Sequence, residues 1–330
     1  PLTLLKALRP LMRRFPTGEE LILDEIATVD RIAQEGLYFP IMKSALEPWL
    51  DLGLVVDESV SMVIWRHTIR QLKRFFEHYG AFRDVRTWGL SRDNMGAVTM
   101  RRGIGAIASG QSSATASELI DPSGRRLILI ISDCVDSMWY EGQILPFLET
   151  WSQNAPTAIL QMLPERMWWG TGLKEGIEVR FQGLTPGVAN SSLIVSEQVS
   201  DSEKELNGGI KLPILSLESR VATAWSQMVA GKGQVRVPGV VYEQLTKGSR
   251  LEEEQNNQSE SSVMSAQERV NNFRLISSPV ARRLAELLAA APIITLPIVR
   301  LIQETLLEKS GQVHVAEVFL GGLLEPRSEI

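Results

Sequence analysis

Asp57-Glu58-Ser59-Val60-Ser61 is a D-x-S-x-S motif, which gathers one carboxylate and two hydroxyls in five residues. All three are hard oxygen donors, a set suited to Mg²⁺ or Mn²⁺. The motif follows the apolar run 50–56, which reads as a strand, and precedes residues 61–79, which read as a helix. A sharp turn between them can aim the three oxygens at one point. The helix N-terminus behind them favours an anionic group arriving at the metal. In the competing reading, Ser59 or Ser61 merely caps that helix. A second carboxylate, Asp133, ends the β-branched and Leu run 126–132, and Asp136 follows it.

Strands must carry both groups to one place. Runs 50–56, 84–91, 97–100, 126–132, 157–163 and 210–217 read as strands. Helical patterns at 61–79, 143–153 and up to 229 alternate with them. Strands apolar on both faces, alternating with helices, predict a doubly wound, mainly parallel α/β sheet. Ligands bind such sheets beyond the carboxyl ends of the strands, where Asp57 and Asp133 both fall.

The predicted organisation has four parts. Residues 1–48 form an N-terminal helical segment. Leu4, Leu5, Leu8, Leu11 and Met12 stand at helical spacing there, interleaved with Lys6, Arg9, Arg13 and Arg14, and residues 19–36 also read as helical. Docking on its own domain is expected of the first helix, in preference to a membrane surface. Residues 49–246 form the α/β domain. Residues 247–268, polar, acidic and rich in Ser, Gln and Asn, read as a flexible linker. Residues 269–330 form a small helical or winged-helix-like module, with helix starts at Ser278-Pro279 and Pro297 and a stop at Gly321-Gly322.

Composition excludes several classes. The 330 residues are 44% hydrophobic and 22% charged, as ordinary globular domains are. A single cysteine, Cys134, excludes an internal disulfide framework and a multi-cysteine zinc site. His67, His78 and His314 argue against a histidine-built metal centre. A net charge of −5, with only Arg282, Arg283 and Arg300 prominent in the helical tail, argues against nucleic acid. No apolar run reaches membrane length, and the N-terminal residues lack a signal-peptide core, so a cytoplasmic location is expected. The first residue is Pro rather than Met, as in a trimmed chain.

Other motifs carry less. Residues 103–108 resemble a dinucleotide loop only superficially, since they follow two arginines rather than a clear strand. Gly231-Lys232-Gly233 lacks a P-loop frame, and no nucleophile elbow occurs. His67 and His78 fall in a predicted helix, where packing or exposure is the expected role. Cys134 reads as a buried small residue rather than a reactive thiol. Trp65, Trp139, Trp168 and Trp169 read as core packing in preference to a recognition surface.

Asp57 to Ser61 resembles the metal-ion-dependent adhesion site of von Willebrand factor A domains. Ser132-Asp133 takes the place of that family's later Thr-Asp or Ser-Asp strand end, and the similarity spans about residues 50–230. The resemblance implies a von Willebrand A or Rossmann-like fold, with Mg²⁺ or Mn²⁺ held by Asp57, Ser59, Ser61 and Asp133. It also implies a Thr from an intermediate loop. Thr115 is the nearest candidate, with Ser112 and Ser113 as rivals. Cys134 stands where the family commonly has Gly, a departure that leaves a degenerate site as an alternative.

A narrower resemblance covers most of the chain. Gly80 to Arg86, Asp121 to Leu127, Leu163 to Trp168, Ser278 to Leu284 and His314 to Leu324 are similar to a bacterial module of actinobacteria and cyanobacteria. There a divergent von Willebrand A-like domain precedes a helical segment, ahead of NTPase, repeat or effector domains of signalling or conflict proteins. The resemblance implies a non-catalytic recognition module, whose protein partner offers an acidic side chain to the metal. The alternatives are a Mg²⁺-dependent phosphoryl hydrolase using Asp57, Asp133 and Asp136, and a structural scaffold with a vestigial site.

Overall fold

The computed structural model describes residues 2–36, 38–93, 95–105, 113–198, 208–243, 265–307 and 309–324. The chain opens with α1 (Leu2–Leu8), β1 (Arg14–Leu23), α2 (Glu25–Glu35) and β2 (Met42–Pro48). Then come β3 (Leu50–Asp57), α3 (Arg66–His78), β4 (Phe82–Arg92), β5 (Val98–Arg102) and β6 (Ser113–Ala114). Next are β7 (Arg126–Ser132), α4 (Ser137–Tyr140), α5 (Leu145–Asn154), β8 (Thr157–Gln161), β9 (Ile177–Gln182) and β10 (Ile194–Gln198). β11 (Ile210–Leu215), α6 (Ser219–Val229) and β12 (Val237–Tyr242) follow, then α7 (Ala266–Ile276), α8 (Pro279–Leu288), α9 (Leu296–Leu306) and α10 (Gln312–Leu320).

β3 is buried along its whole length and β7 from Leu127 onward, so both sit at the centre of the core. One ten-stranded sheet has the order β10-β9-β12-β11-β8-β7-β3-β4-β5-β6. The five strands β4, β3, β7, β8 and β11 run parallel. From β3 the chain winds to one side through β4; from β7 it winds to the other through β8 and β11. The carboxyl ends of β3 and β7 therefore flank the point where strand order reverses, the crevice position of an open α/β sheet.

The expected parallel core is present, but the sheet is mixed at its flanks. β12, β9 and β10 extend one edge antiparallel, and β5 and β6 extend the other. Strands at 177–182, 194–198 and 237–242 carry weak sequence signals. β12 holds Pro238 and Gly239, residues that usually count against a strand.

The N-terminal segment differs from its helical expectation. Residues 14–23 and 42–48 are antiparallel strands, and only Glu25–Glu35 of the stretch 19–36 is helical. The Asp24 carboxylate caps that helix by accepting the Ala27 N–H at 3.2 Å, and Gly36 ends it with φ 68°. α1 docks on its own domain as expected. Ala7, Leu8 and Leu11 are buried, and the Ser226 hydroxyl on α6 donates to the Ala7 carbonyl at 2.5 Å.

Residues 247–264 of the expected linker lie outside the described residues. Residues 265–268 belong instead to the start of α7. The Ser265 hydroxyl accepts the Glu268 N–H at 3.3 Å, while the Glu268 carboxylate accepts the Ser265 N–H at 2.8 Å, a capping box. Ser278 caps α8 through the Ala281 N–H at 3.2 Å, with Pro279 at the first helical position. Among the described residues, this C-terminal module contains helices and no strand.

The module is fastened beside the carboxyl ends of the strands. Buried Glu317 on α10 accepts from the Arg166 guanidinium, in the turn after β8, and from the Ser278 N–H at 2.6 Å. The Thr68 hydroxyl on α3 bonds the Gln312 side chain. Among the described residues, no helix is long and apolar enough to cross a membrane.

The antiparallel flank of the sheet offers a direct test of close packing. A Cβ at Gly239 would meet the Leu212 carbonyl at 2.4 Å and the Phe181 ring at 2.5 Å, whereas at Gly170 it meets nothing within 4 Å. Gly239→Ala is expected to cost about 1–3 kcal/mol by overpacking, and Gly170→Ala to stay within about 0.5 kcal/mol. Urea unfolding of the two variants checks this; equal costs would contradict the tight β9–β12–β11 packing.

Candidate metal centre

β3 delivers Asp57 and β7 delivers Ser132 and Asp133 to adjacent strand ends. Asp57 pairs with Leu90 on β4, while Val56 faces Ile131 on β7. Asp57 and Asp133 are each 1% exposed. Two buried carboxylates on neighbouring strands need donors, and the local chain provides them.

Asp57 is held from three directions. Its Oδ1 accepts the Ser59 N–H at 2.9 Å, and its Oδ2 accepts the Ser132 hydroxyl at 2.6 Å and the Trp139 indole N–H at 3.2 Å. Asp133 is held on one side only. Its Oδ1 accepts the Ser61 hydroxyl at 2.9 Å and the Val135 N–H at 3.2 Å. Its Oδ2 is buried and has no hydrogen-bond partner. The Ser59 and Ser61 hydroxyls lie 3.2 Å apart, on half-buried residues at the lip of the cluster.

The surrounding chain fixes these positions. Ser61 opens a 3₁₀ turn, Ser61–Trp65, that leads into α3, and the sulfur of Met62 in that turn accepts the Asp133 N–H at 3.2 Å. Gln161 at the end of β8 donates to the Asp133 carbonyl at 3.1 Å and accepts the Leu163 N–H at 3.0 Å. Glu58, between the motif's Asp and Ser, accepts the Gly105 N–H at 2.5 Å. The glycine-rich stretch thus ties back to the motif as far as Gly105; residues 106–108 lie outside the described residues.

Cys134 has φ 56°, the left-handed conformation that favours glycine. Its N–H donates to the Ser132 hydroxyl and its carbonyl accepts the Gly172 N–H, both at 2.8 Å, so the loop keeps its turn without glycine. The thiol is fully buried, and burial pushes its pKa well up, which makes it inert as a nucleophile.

The structure thus brings Asp57, Ser59, Ser61 and Asp133 together. It does not bring Thr115 to them. Asp57, Leu90, Met100 and Ala114 form one row across β3, β4, β5 and β6. Three strand spacings place Ala114 about 14 Å from Asp57. Thr115 is exposed, and its N–H donates to Glu118 at the start of a short 3₁₀ helix. Ser113 lies in β6 opposite Arg101, and Ser112 lies outside the described residues. Asp136 is also diverted. It accepts the Met138 N–H at 3.1 Å as the cap of α4 and pairs with Arg92 at 3.0 Å.

Ser132 and Trp139 support the site without belonging to the D-x-S-x-S motif. Ser132 was visible as the residue before Asp133. Trp139 reads from sequence as packing, and it is buried, but its indole N–H also requires an acceptor and finds Asp57. Trp65 and Trp168 are buried as expected, whereas Trp169 is 36% exposed. His67 and His78 lie on the exposed surface of α3.

Among the described residues, no cluster of three or more His, Cys, Asp or Glu is placed to hold a metal. A cation site here must draw on hydroxyls. Two serine hydroxyls and an unpartnered carboxylate oxygen fit a small hard cation. No protein-family model, curated protein or solved structure matches this chain.

Burial, and then the charge of Asp57, push the Asp133 pKa up to about 6, against hydrogen bonds from Ser61 and Val135. Burial likewise raises Asp57, with Ser132, Ser59 and Trp139 opposing it. A carboxyl raised on folding stabilises the fold most when protonated in both states, and that stability is lost as pH rises through the folded pKa. For Asp133 a rise from 3.8 to about 6 corresponds to about 3 kcal/mol. In metal-free buffer, wild type is expected to lose about that much stability relative to Asp133→Asn between about pH 4 and pH 7. Urea unfolding at both pH values checks it, and parallel behaviour of the two proteins would contradict the assignment.

Proposed function

We propose that this chain is a non-catalytic recognition and regulatory module built on a divergent von Willebrand A-like domain. Its strand-end site takes Mg²⁺ or Mn²⁺, and an acidic side chain of a protein partner completes the coordination. The observation that carries this reading is the unpartnered, buried Oδ2 of Asp133 beside the paired Ser59 and Ser61 hydroxyls, at the strand-reversal point. Ser59, Ser61 and Asp133 would hold the ion. Asp57, whose oxygens already accept protein donors, would contribute its charge from behind. The bound ion would neutralise two buried carboxylates and offer its remaining positions to a carboxylate ligand.

Two further features support the reading. Ser59 and Ser61 are half-buried, so the lip faces an approaching partner. The C-terminal helices bond to α3, which the motif's own turn leads into, through the Thr68–Gln312 contact. That connection would let partner binding reach a neighbouring effector, as in the bacterial signalling or conflict modules the sequence resembles. The hydrolase alternative loses its third carboxylate, because Asp136 is engaged by Arg92 and by the cap of α4.

Calorimetric titration with Mn²⁺, with and without acetate as a stand-in for the partner's carboxylate, tests the proposal. Wild type is expected to bind one ion, more tightly when acetate is present. Ser59→Ala/Ser61→Ala is expected to lose at least about tenfold in affinity, roughly 1.4 kcal/mol. Equal affinity in wild type and the double variant would overturn it.

A further inference from the structure

We infer that the β1–α2–β2 unit is a self-association surface, through which two copies of this chain pair antiparallel about a two-fold axis. β1 and β2 make a two-stranded sheet of their own, joined by α2. Such a sheet is marginal alone and needs packing on its apolar faces. The chain itself supplies little of that packing. Among the described residues of 12–48, Thr28 and Ala45 are buried and the others are not. Side chains alternate across a strand. Adjacent Ile22 and Leu23 of β1 are 42% and 41% exposed, so neither face of that strand is covered.

The uncovered surface is large. Among the described residues, eleven exposed large apolar side chains fall within residues 12–46, from 41% exposed at Leu23 to 76% at Ile26. At that exposure they leave on the order of 1,000 Å² of mainly apolar surface, against roughly 800 Å² per partner in a standard stable interface. The largest apolar patch on a typical monomer is only roughly 300–600 Å². The unit is moored from the β2 side. Arg83, at the start of β4, pairs with Glu47 at 4.0 Å and with Asp51 at 3.0 Å. β1 is the outer strand, paired with β2 alone among the described residues.

Charge selects the occupant. β1 is basic at its start, with Arg13 and Arg14, and acidic past its end, with Asp24 and Glu25. Arg14 and Glu25 are both exposed. An antiparallel two-fold arrangement sets the basic end of one copy against the acidic end of the other. It also brings Phe15, near the basic end, against Leu21-Ile22-Leu23, near the acidic end. A partner of one sign would match one end only. A strand carrying both signs in reverse order matches both, and a second β1 is such a strand. The surface is separate from the proposed metal centre. The unit joins the body at the amino end of β3, and β3 runs eight residues from there to Asp57. Two paired copies would therefore keep both strand-end sites open.

Sedimentation equilibrium of the full chain tests this. Wild type is expected to form a closed dimer of twice the 36.7 kDa chain mass, in a concentration-dependent equilibrium. Leu21→Asp and Ile26→Asp are each expected to weaken the dimer about tenfold or more. Leu301→Asp, at a similarly exposed side chain of α9, is expected to leave it unchanged. Arg14→Glu is expected to weaken it several-fold, and Arg14→Glu/Glu25→Arg to restore it, a rescue that a merely misfolded variant would not show. Asp133→Asn is expected to dimerise as wild type does, so failure of the metal centre and failure of this surface are distinguishable. A monomer at every soluble concentration, association that continues past the dimer, a charge swap that stays weak, or equal dimer strength in wild type, Leu21→Asp and Ile26→Asp would overturn the inference.

Discussion

Two carboxylates buried side by side at the ends of β3 and β7 set the terms for the rest of this structure. A buried charge is tolerated only when donors or counter-charges surround it. Asp57 has three donors and is structurally complete. Asp133 has donors on Oδ1 alone, so the pair is balanced on one side and open on the other. A folded chain that keeps such an imbalance at its crevice holds a position suited to a cation. The elevated Asp133 pKa expresses the same imbalance as affinity for a proton.

The surrounding fold serves that pair at several levels. Parallel strands bring both acids to one edge of the sheet, and the reversal of strand order opens the crevice between them. The 3₁₀ turn after the motif carries Ser61 to Asp133, while its Met62 sulfur receives the Asp133 backbone. α3 continues from that turn and bonds the C-terminal helices at Gln312.

The central strands and the convergence of Asp57, Ser59, Ser61 and Asp133 were legible in the sequence because their signals are local. A both-faces-apolar run followed by Asp marks a buried strand end, and D-x-S-x-S concentrates its donors in one turn. Thr115 was not legible, because its distance from Asp57 is set by the registers of three strand pairs rather than by chain spacing. The role of Trp139 depends on a tertiary contact that no pattern encodes. β1 was absorbed into a helical reading because Leu21-Ile22-Leu23 runs straight into the Asp24 cap of α2. α7 carries a weak signal, since Phe273 is its one buried side chain among those described; its first residues fall in the polar stretch 247–268 and the rest stands in the module ahead of the helix start read at Ser278-Pro279.

Unfolding of wild type and Asp133→Asn by urea at about pH 7.5, with Mn²⁺ present and then absent, tests the central claim most directly. A ligand that binds only the folded chain adds stability with concentration, about 2.7 kcal/mol at one hundred times its Kd. The expected result is a concentration-dependent gain for wild type and none for Asp133→Asn. No gain in wild type, or the same gain in both proteins, would contradict a cation site built on Asp133.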